Sequence, residues 1–480
     1  MIHTAPHPNL WQPASPMAAI RPGTGCASLT ATLAADNAAW TFVDLPADVR
    51  TLVRQCLLDW IAVTLVGARE PLTHMLAEEA REQGGYQQAT VIGHGFATSC
   101  RQAALINGAA SHALDYDDVN MAFTGHPTVT LTPALLALAE ARGASGADFM
   151  TAFVAGYETL CRIGAAVSPG HYALGFHSTG TIGTFGAAAA CSRLLQLDAD
   201  DTATALGIAA TSAAGLKAMF GTMCKPLHAG KASADGLMAA QLAVRGFTSR
   251  SDAIEAMQGF AATHGPDFNP EAALQRPASG LHLRNNLFKY HAACYGTHAA
   301  IDATCQLRDQ YRLMPSDVRR IVVRVSAVSD GVCNIAAPHT GLESKFSLAQ
   351  SVAMAIAGVD TADIASYSDS NANNPVLLGL RQQVRVVLIG ECSDLTRAEV
   401  EIETNGGQTL RQQHDSGTPA TDLAVQQDRL EAKFRSLASP TLDQSTIDEV
   451  LDLTSRIEEL PDLSPLAGLL ACQPVREQRH

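Results

Sequence analysis

The chain has 480 residues and is 47% hydrophobic, which at about 150 residues per domain fits a multi-domain globular protein with a large core and a smaller one. Its 47 acidic against 33 basic residues give a net charge of −14, which argues against a nucleic-acid binder and makes any anion site a local inversion of the overall field. Eleven cysteines without CxxC or framework spacing point to free thiols in a reducing compartment.

Residues 1–27, with Pro6, Pro8, Pro13, Pro16 and Pro22, lack the basic region and apolar stretch of a signal peptide and read as a flexible tail. No window reaches 18 uninterrupted apolar residues, so the expectation is a cytoplasmic protein with no membrane contact. From 28 to 279 the apolar residues recur at helical spacing, over 49–66, 99–113, 133–142, 146–166, 181–195, 198–215 and 226–245. Many of these stretches are rich in Ala and Gly, which lets helix axes approach closely.

The pattern changes over 280–413. Residues 321–328 alternate β-branched and polar side chains, 384–389 do so more weakly, and 400–404 run into Asn405-Gly406, a strong hairpin signal. Helical periodicity returns over 422–437 and 445–459. The expected architecture is mainly α: a discontinuous helical domain, 28–279 with 414–480, and a smaller α+β insert over 280–413.

Between Asp115 and His298, His and Lys recur in short, glycine-containing, otherwise uncharged stretches, where cations are costly to desolvate unless they serve an anion or a proton transfer. If the 99–113 helix continues, His112, Asp115 and Asp118 share one face and Asp117 points elsewhere. His126, between Gly125 and Pro127, is presented from an extended loop. His177 precedes Ser178 and Thr179, which can cap the next helix, so its ring lies near the positive end of a helix dipole.

Lys225 precedes Pro226, which fits a first helical position, and His228 follows within the first turn; helix N–H groups, ammonium and imidazole then converge on a carboxylate or phosphate. Lys289, between Phe288 and Tyr290, follows the same pattern. Cys224 with His228 and Cys294 with His298 form two C-x-x-x-H pairs that could together bind zinc, as in a zinc-dependent hydrolase, but three nearby lysines would crowd the metal with positive charge. No GxxxxGK[ST], strand-linked GxGxxG or GxSxG is present, which leaves nucleotide-binding and serine-hydrolase readings unsupported. A non-catalytic anion-binding protein is a further alternative.

The segments HALDYDDVN, GHPT, GHYALGFHSTGTIGTFGAAAA, FGTMCKPLHAG, KYHAACYGTH and EAKFRSLASPTL, in that order, resemble the MmgE/PrpD family from about Ala27 onward. The family includes 2-methylcitrate dehydratase, cis-aconitate decarboxylase and iminodisuccinate epimerase. The resemblance implies a helical domain with an α+β lid, a homodimer, no cofactor and no metal, and a small polycarboxylate substrate handled by proton transfer at the carbon next to a carboxylate. It places Asp115, His126, His177, Lys225 and Lys289 in the cleft. The lysines would hold carboxylates, the two histidines would move protons, and Asp115 would tune a basic neighbour. His171 and His228 are further candidates for substrate contact. Two positions depart from the decarboxylase pattern: Val119 stands in place of a hydroxyl residue and Cys294 in place of a histidine.

Overall fold

The computed structural model describes residues 28–390 and 394–471. The tail expected over 1–27 lies outside the described residues. The protein is mainly α, and its largest apolar core gathers Trp60, Phe149, Phe153, Tyr157 and Phe185 with Phe434 from the late helix Leu423–Ala438. That late helix packs against Ala47–Gly67, so the chain returns to the helical body after its α+β segment.

The helices form close to where periodicity and capping residues put them. Cys100–His112 starts behind Ser99, whose side chain accepts from the Gln102 N–H, and Gly146–Val167 starts behind Ser145 in the same way. Thr128–Arg142 is the exception: the proline expected at its start, Pro133, lies inside it. A proline that close to a helix N-terminus removes one backbone bond, and full burial of both flanks outweighs that loss.

Small residues decide how these helices cross. A Cβ on Gly108 would lie 2.7 Å from the Gly230 Cα, and one on Gly230 would lie 2.1 Å from the Leu105 carbonyl oxygen. Only two facing glycines allow Cys100–His112 and Cys224–Ala243 to cross at this distance. The crossing brings the C-terminal end of the first helix, with His112, towards the N-terminal end of the second, with Lys225.

A small hairpin, β1 (Ala89–Val91) with β2 (Phe96–Thr98), lies on the helical body. The α+β segment builds a four-stranded sheet from β3 (Val318–Ser326), β4 (Val384–Ile389), β5 (Arg397–Thr404) and β6 (Thr409–Asp415), in the order β4-β3-β5-β6. β3 and β4 are parallel, the other pairs antiparallel, and Val323 pairs with Val386 on one side and Val400 on the other. Ile321, Val323, Val325, Val400 and Ile402 pack one sheet face onto the helices Tyr295–Tyr311 and Leu348–Ile356, forming a second core. The Asn405-Gly406 signal corresponds to the β5–β6 turn, with Gly407 at φ 82°. No single helix among the described residues is long and apolar enough to cross a membrane.

Candidate active site

Four helices aim their N-termini at one small cavity. His126 lies just before the helix Thr128–Arg142, His177 is the N-cap of Ser178–Leu194, Lys225 is in the first turn of Cys224–Ala243, and Cys294 is the N-cap of Tyr295–Tyr311. Each N-terminus contributes about half a positive charge, so the cavity favours an anion before any side chain is counted, although the free N–H groups expected at Cys224–Ala243 are taken, Cys224 N–H donating to Thr222 Oγ1 and Lys225 N–H to the Thr222 carbonyl oxygen. Asp115, His126, His177, Lys225 and Lys289 all line it, with Tyr172, Phe220, Phe346 and an apolar wall of Val119, Met121, Val332 and Leu395. The cavity is small, about 60 Å³.

Asp115 organises the cationic side. The helix Cys100–His112 ends at Ala113, and Asp115 takes a left-handed backbone conformation, φ 52°. Its Oδ1 accepts from Lys225 Nζ at 2.7 Å and from Lys289 Nζ at 3.1 Å. Burial works against the ionised carboxyl, but Lys225, Lys289 and His126 outweigh it and hold Asp115 well below the usual carboxylate range.

Breaking the helix at 113 changes which aspartate meets the histidines. The expectation grouped His112, Asp115 and Asp118 on one helical face; instead Asp117 turns inward. Its carboxylate lies 3.0 Å from His112 Nδ1 and 2.9 Å from His126 Nδ1, and despite burial it is held well below its ordinary pKa by those two rings. His126 Nδ1 also faces the Asp118 carbonyl oxygen at 2.9 Å. Nδ1 therefore meets acceptors only and carries a proton, and Nε2 lies 3.6 Å from Asp115 Oδ1. Asp118 turns away to accept from Thr128 Oγ1 at 2.5 Å, and burial pushes its carboxyl up to about 7.

His177 is 2% exposed, and burial together with Lys225 and the neighbouring rings keeps its pKa well below the ordinary histidine value. It caps its helix by position and not by a side-chain bond, because its Nδ1 is taken by His228 Nδ1 at 3.0 Å. Lys225 also differs from expectation: its helix begins two residues earlier than Pro226, at Cys224, so Lys225 is helical although it precedes a proline.

His228 backs His177 and does not line the cavity. His171 lies outside it too. Its Nδ1 meets the His264 carbonyl oxygen at 2.8 Å, its Nε2 meets Thr181 Oγ1 at 2.7 Å, and its ring stacks on Phe176, so neither nitrogen is left for a substrate. The two Cys/His pairs do not make one centre: Cys224 is exposed, Cys294 lines the cavity, and His298 Nε2 contacts the Ala293 carbonyl oxygen at 3.2 Å. Among the described residues, the one group of ligand atoms close enough to share a metal is His112, Asp115, Asp117 and His126. Two lysine ammoniums already occupy Asp115 there, which makes it a poor cation site.

Two further lysines escaped sequence reasoning. Lys345 Nζ donates to the Leu114 carbonyl oxygen at 2.6 Å, and Lys433 Nζ donates to the Tyr116 carbonyl oxygen at 2.8 Å and to Asp59 Oδ1 at 2.7 Å. With Lys289 on the Asp115 carbonyl oxygen at 2.7 Å, three lysines from distant segments hold three consecutive carbonyls, 114 to 116. All three are buried, and burial lowers Lys345 to about 8. A sequence signal exists: Phe288, Phe346 and Phe434 each adjoin one of these lysines.

Comparison with known proteins gives this arrangement a context. The MmgE/PrpD N-terminal domain model matches residues 31–273 and the MmgE/PrpD C-terminal domain model matches 291–457. The chain is 29% identical over 456 residues to the cis-aconitate decarboxylase-like protein oryM of Aspergillus oryzae, covering 89% of this chain and 94% of that protein. It is 28% identical over 467 residues to a cis-aconitate decarboxylase of Aspergillus terreus, covering 90% and 94%, and 28% identical over 433 residues to that of Homo sapiens, covering 87% and 89%. Matched along most of its length by both of the family's domains, the chain belongs to the MmgE/PrpD family.

Proposed function

We propose that this protein is a polycarboxylate lyase that breaks a bond at the carbon next to a carboxylate, with decarboxylation of cis-aconitate or a close analogue as the leading reaction. The observation that carries this reading is the convergence of four helix N-termini, Lys225 and Lys289 on one small cavity that also holds two imidazoles. In this reading the ammoniums and helix ends bind the carboxylates and stabilise the negative charge that builds as the bond breaks. His126 and His177 move the proton, and Asp115 aims both lysines. The full alignment with cis-aconitate decarboxylases supports the substrate class.

Val119 and Cys294 both line the cavity, so the two departures from the decarboxylase pattern bear directly on the substrate. Proton NMR in D₂O with cis-aconitate, 2-methylcitrate and an aspartate-derived diacid tests the reading. Loss of a carboxylate with one deuterium incorporated at carbon supports decarboxylation, and loss of water supports dehydration. Exchange without net change supports epimerisation, and binding with no exchange in any of the three rejects the lyase reading. The homodimer belongs to the same proposal. Leu174, Leu216 and Met223 are exposed near site residues in the chain, and light scattering in solution measures the mass.

A further inference from the structure

The structure contains a row of imidazoles that ends at the surface. His126 and His112 have ring centroids 4.6 Å apart, His112 and His177 5.8 Å, and His177 and His228 5.3 Å. The last pair is joined by a direct Nδ1···Nδ1 contact of 3.0 Å. His177 is buried and lines the cavity, whereas His228 is half-buried and does not line it. One partner reaches the substrate side and the other reaches water.

The seat of His228 is built into the backbone. A Cβ on Gly180 would lie 2.9 Å from the His228 Cβ, and one on Gly215 would lie 3.4 Å from its Cγ. Gly215 also accepts the His177 N–H at 3.0 Å, so one segment fixes both residues. The charged groups facing His228 are Lys225 and Lys231, and the Lys231 ammonium is itself held by Asp235 at 2.9 Å and by the Ser212 carbonyl oxygen at 2.6 Å. Both rings are neutral near pH 7, because burial and the lysines oppose their protonation. Two neutral rings meeting Nδ1 to Nδ1 share one proton: one donates, the other accepts, and their outer Nε2 atoms are in opposite states.

We infer that His228 is the positioning residue and proton relay of His177, connecting the cavity to solvent through the shared Nδ1 proton. The inference rests on the lyase reading above. Replacing a carboxylate by hydrogen consumes one proton per turnover, and a tricarboxylate seated in a cavity this small displaces the water that would bring it. In the relay, the C–C bond breaks and CO₂ leaves its electron pair on carbon. His177 gives its Nε2 proton to that carbon, His177 Nδ1 takes the shared proton from His228 Nδ1, and His228 Nε2 takes a proton from water or a buffer acid. The rings end in the opposite tautomers and are reset when product release admits water to the cavity.

The test uses His228→Asn and His228→Ala in the full chain, with the polycarboxylate that the unaltered protein turns over. The asparagine amide can hold His177 through a group near the Nδ1 position but cannot pass a proton. Both variants are expected to lose kcat on the order of 10- to 100-fold, as outer partners of catalytic groups do, with KM nearly unchanged. Added imidazole should restore kcat in His228→Ala saturably, and it should leave His177→Gln unrescued. A merely structural role would not respond to imidazole. An active unaltered protein with His228→Asn equally fast, or a His228→Ala loss that no imidazole restores, overturns the relay alone. An unaltered protein that turns over no polycarboxylate overturns the lyase reading and the relay with it.

Discussion

Two parts of this molecule spend charge in opposite ways. On the four-stranded sheet, Arg320 pairs with Glu403, Arg324 with Glu399, and Arg411 with Glu401, each directly across from its partner strand at 2.7–2.8 Å. Most of those side chains are partly exposed. Around residues 114–117 the cations are lysines, all buried, and most of their acceptors are backbone carbonyls. The guanidinium fork suits flat pairing with a carboxylate in water, while the compact ammonium can turn its three protons towards separate oxygens in a confined space. The sheet ladder is replaceable trim, worth about 0–1 kcal/mol per pair. The lysine cluster is costly to desolvate and therefore costly to leave incomplete.

Removing one lysine is the sharpest way to break that contrast. Lys289→Met should cost about 3–5 kcal/mol in urea unfolding, because it strips partners from the Asp115 carboxylate and carbonyl where no water replaces them. A loss under 1 kcal/mol would erase the distinction between the two regions.

Acid should act on the site and spare the ladder. Burial lowers His112 to about 4 from 6.5, so between those values the unfolded chain binds more protons and stability falls as pH falls. The loss from His112 alone is roughly 3 kcal/mol and is complete below pH 4. Stability profiles of the parent and His112→Asn should diverge within that window.

Base should act through Lys345. Its folded pKa is about 8 against 10.5, so the cost of burying its charge is complete below pH 8 and relieved as pH rises towards 10.5. Because the Lys345 cation holds the Leu114 carbonyl beside Asp115, activity should decline through an alkaline limb near pH 8, and Lys345→Arg should move that limb upward. An unmoved limb would assign it to another group.

The smallest effect belongs to the sheet. Arg320→Ala should change stability by less than about 1 kcal/mol, with the remainder screened by salt.

Much of the fold is written in local pattern. Helices appear within a few residues of where apolar spacing and Ser caps put them, and the Asn405-Gly406 turn is where the hairpin signal lies. β6 was illegible because Thr409–Asp415 has almost no apolar alternation; as an edge strand it takes its register from β5. Lys225 and Lys289 stand out because they interrupt apolar, glycine-bearing stretches. Lys345 and Lys433 interrupt the chain in much the same way, but their partners lie 231 and 317 residues away, and no spacing rule reaches that far. Asp117 was misread for a local reason: periodicity assumed a continuing helix, and one left-handed residue, Asp115, rotated the following carboxylates.

The three carbonyls of 114–116 also set a calendar for the protein's birth. Leu114, Asp115 and Tyr116 leave the ribosome early, while the lysines that finish their coordination follow one by one, the last of them, Lys433, beside the C-terminal helices. Through most of synthesis the helical core can collapse around an unfinished turn. A nascent or prematurely terminated chain lacking Lys433 leaves the Tyr116 carbonyl and Asp59 without their cation, so competence for chemistry arrives only with the final docking.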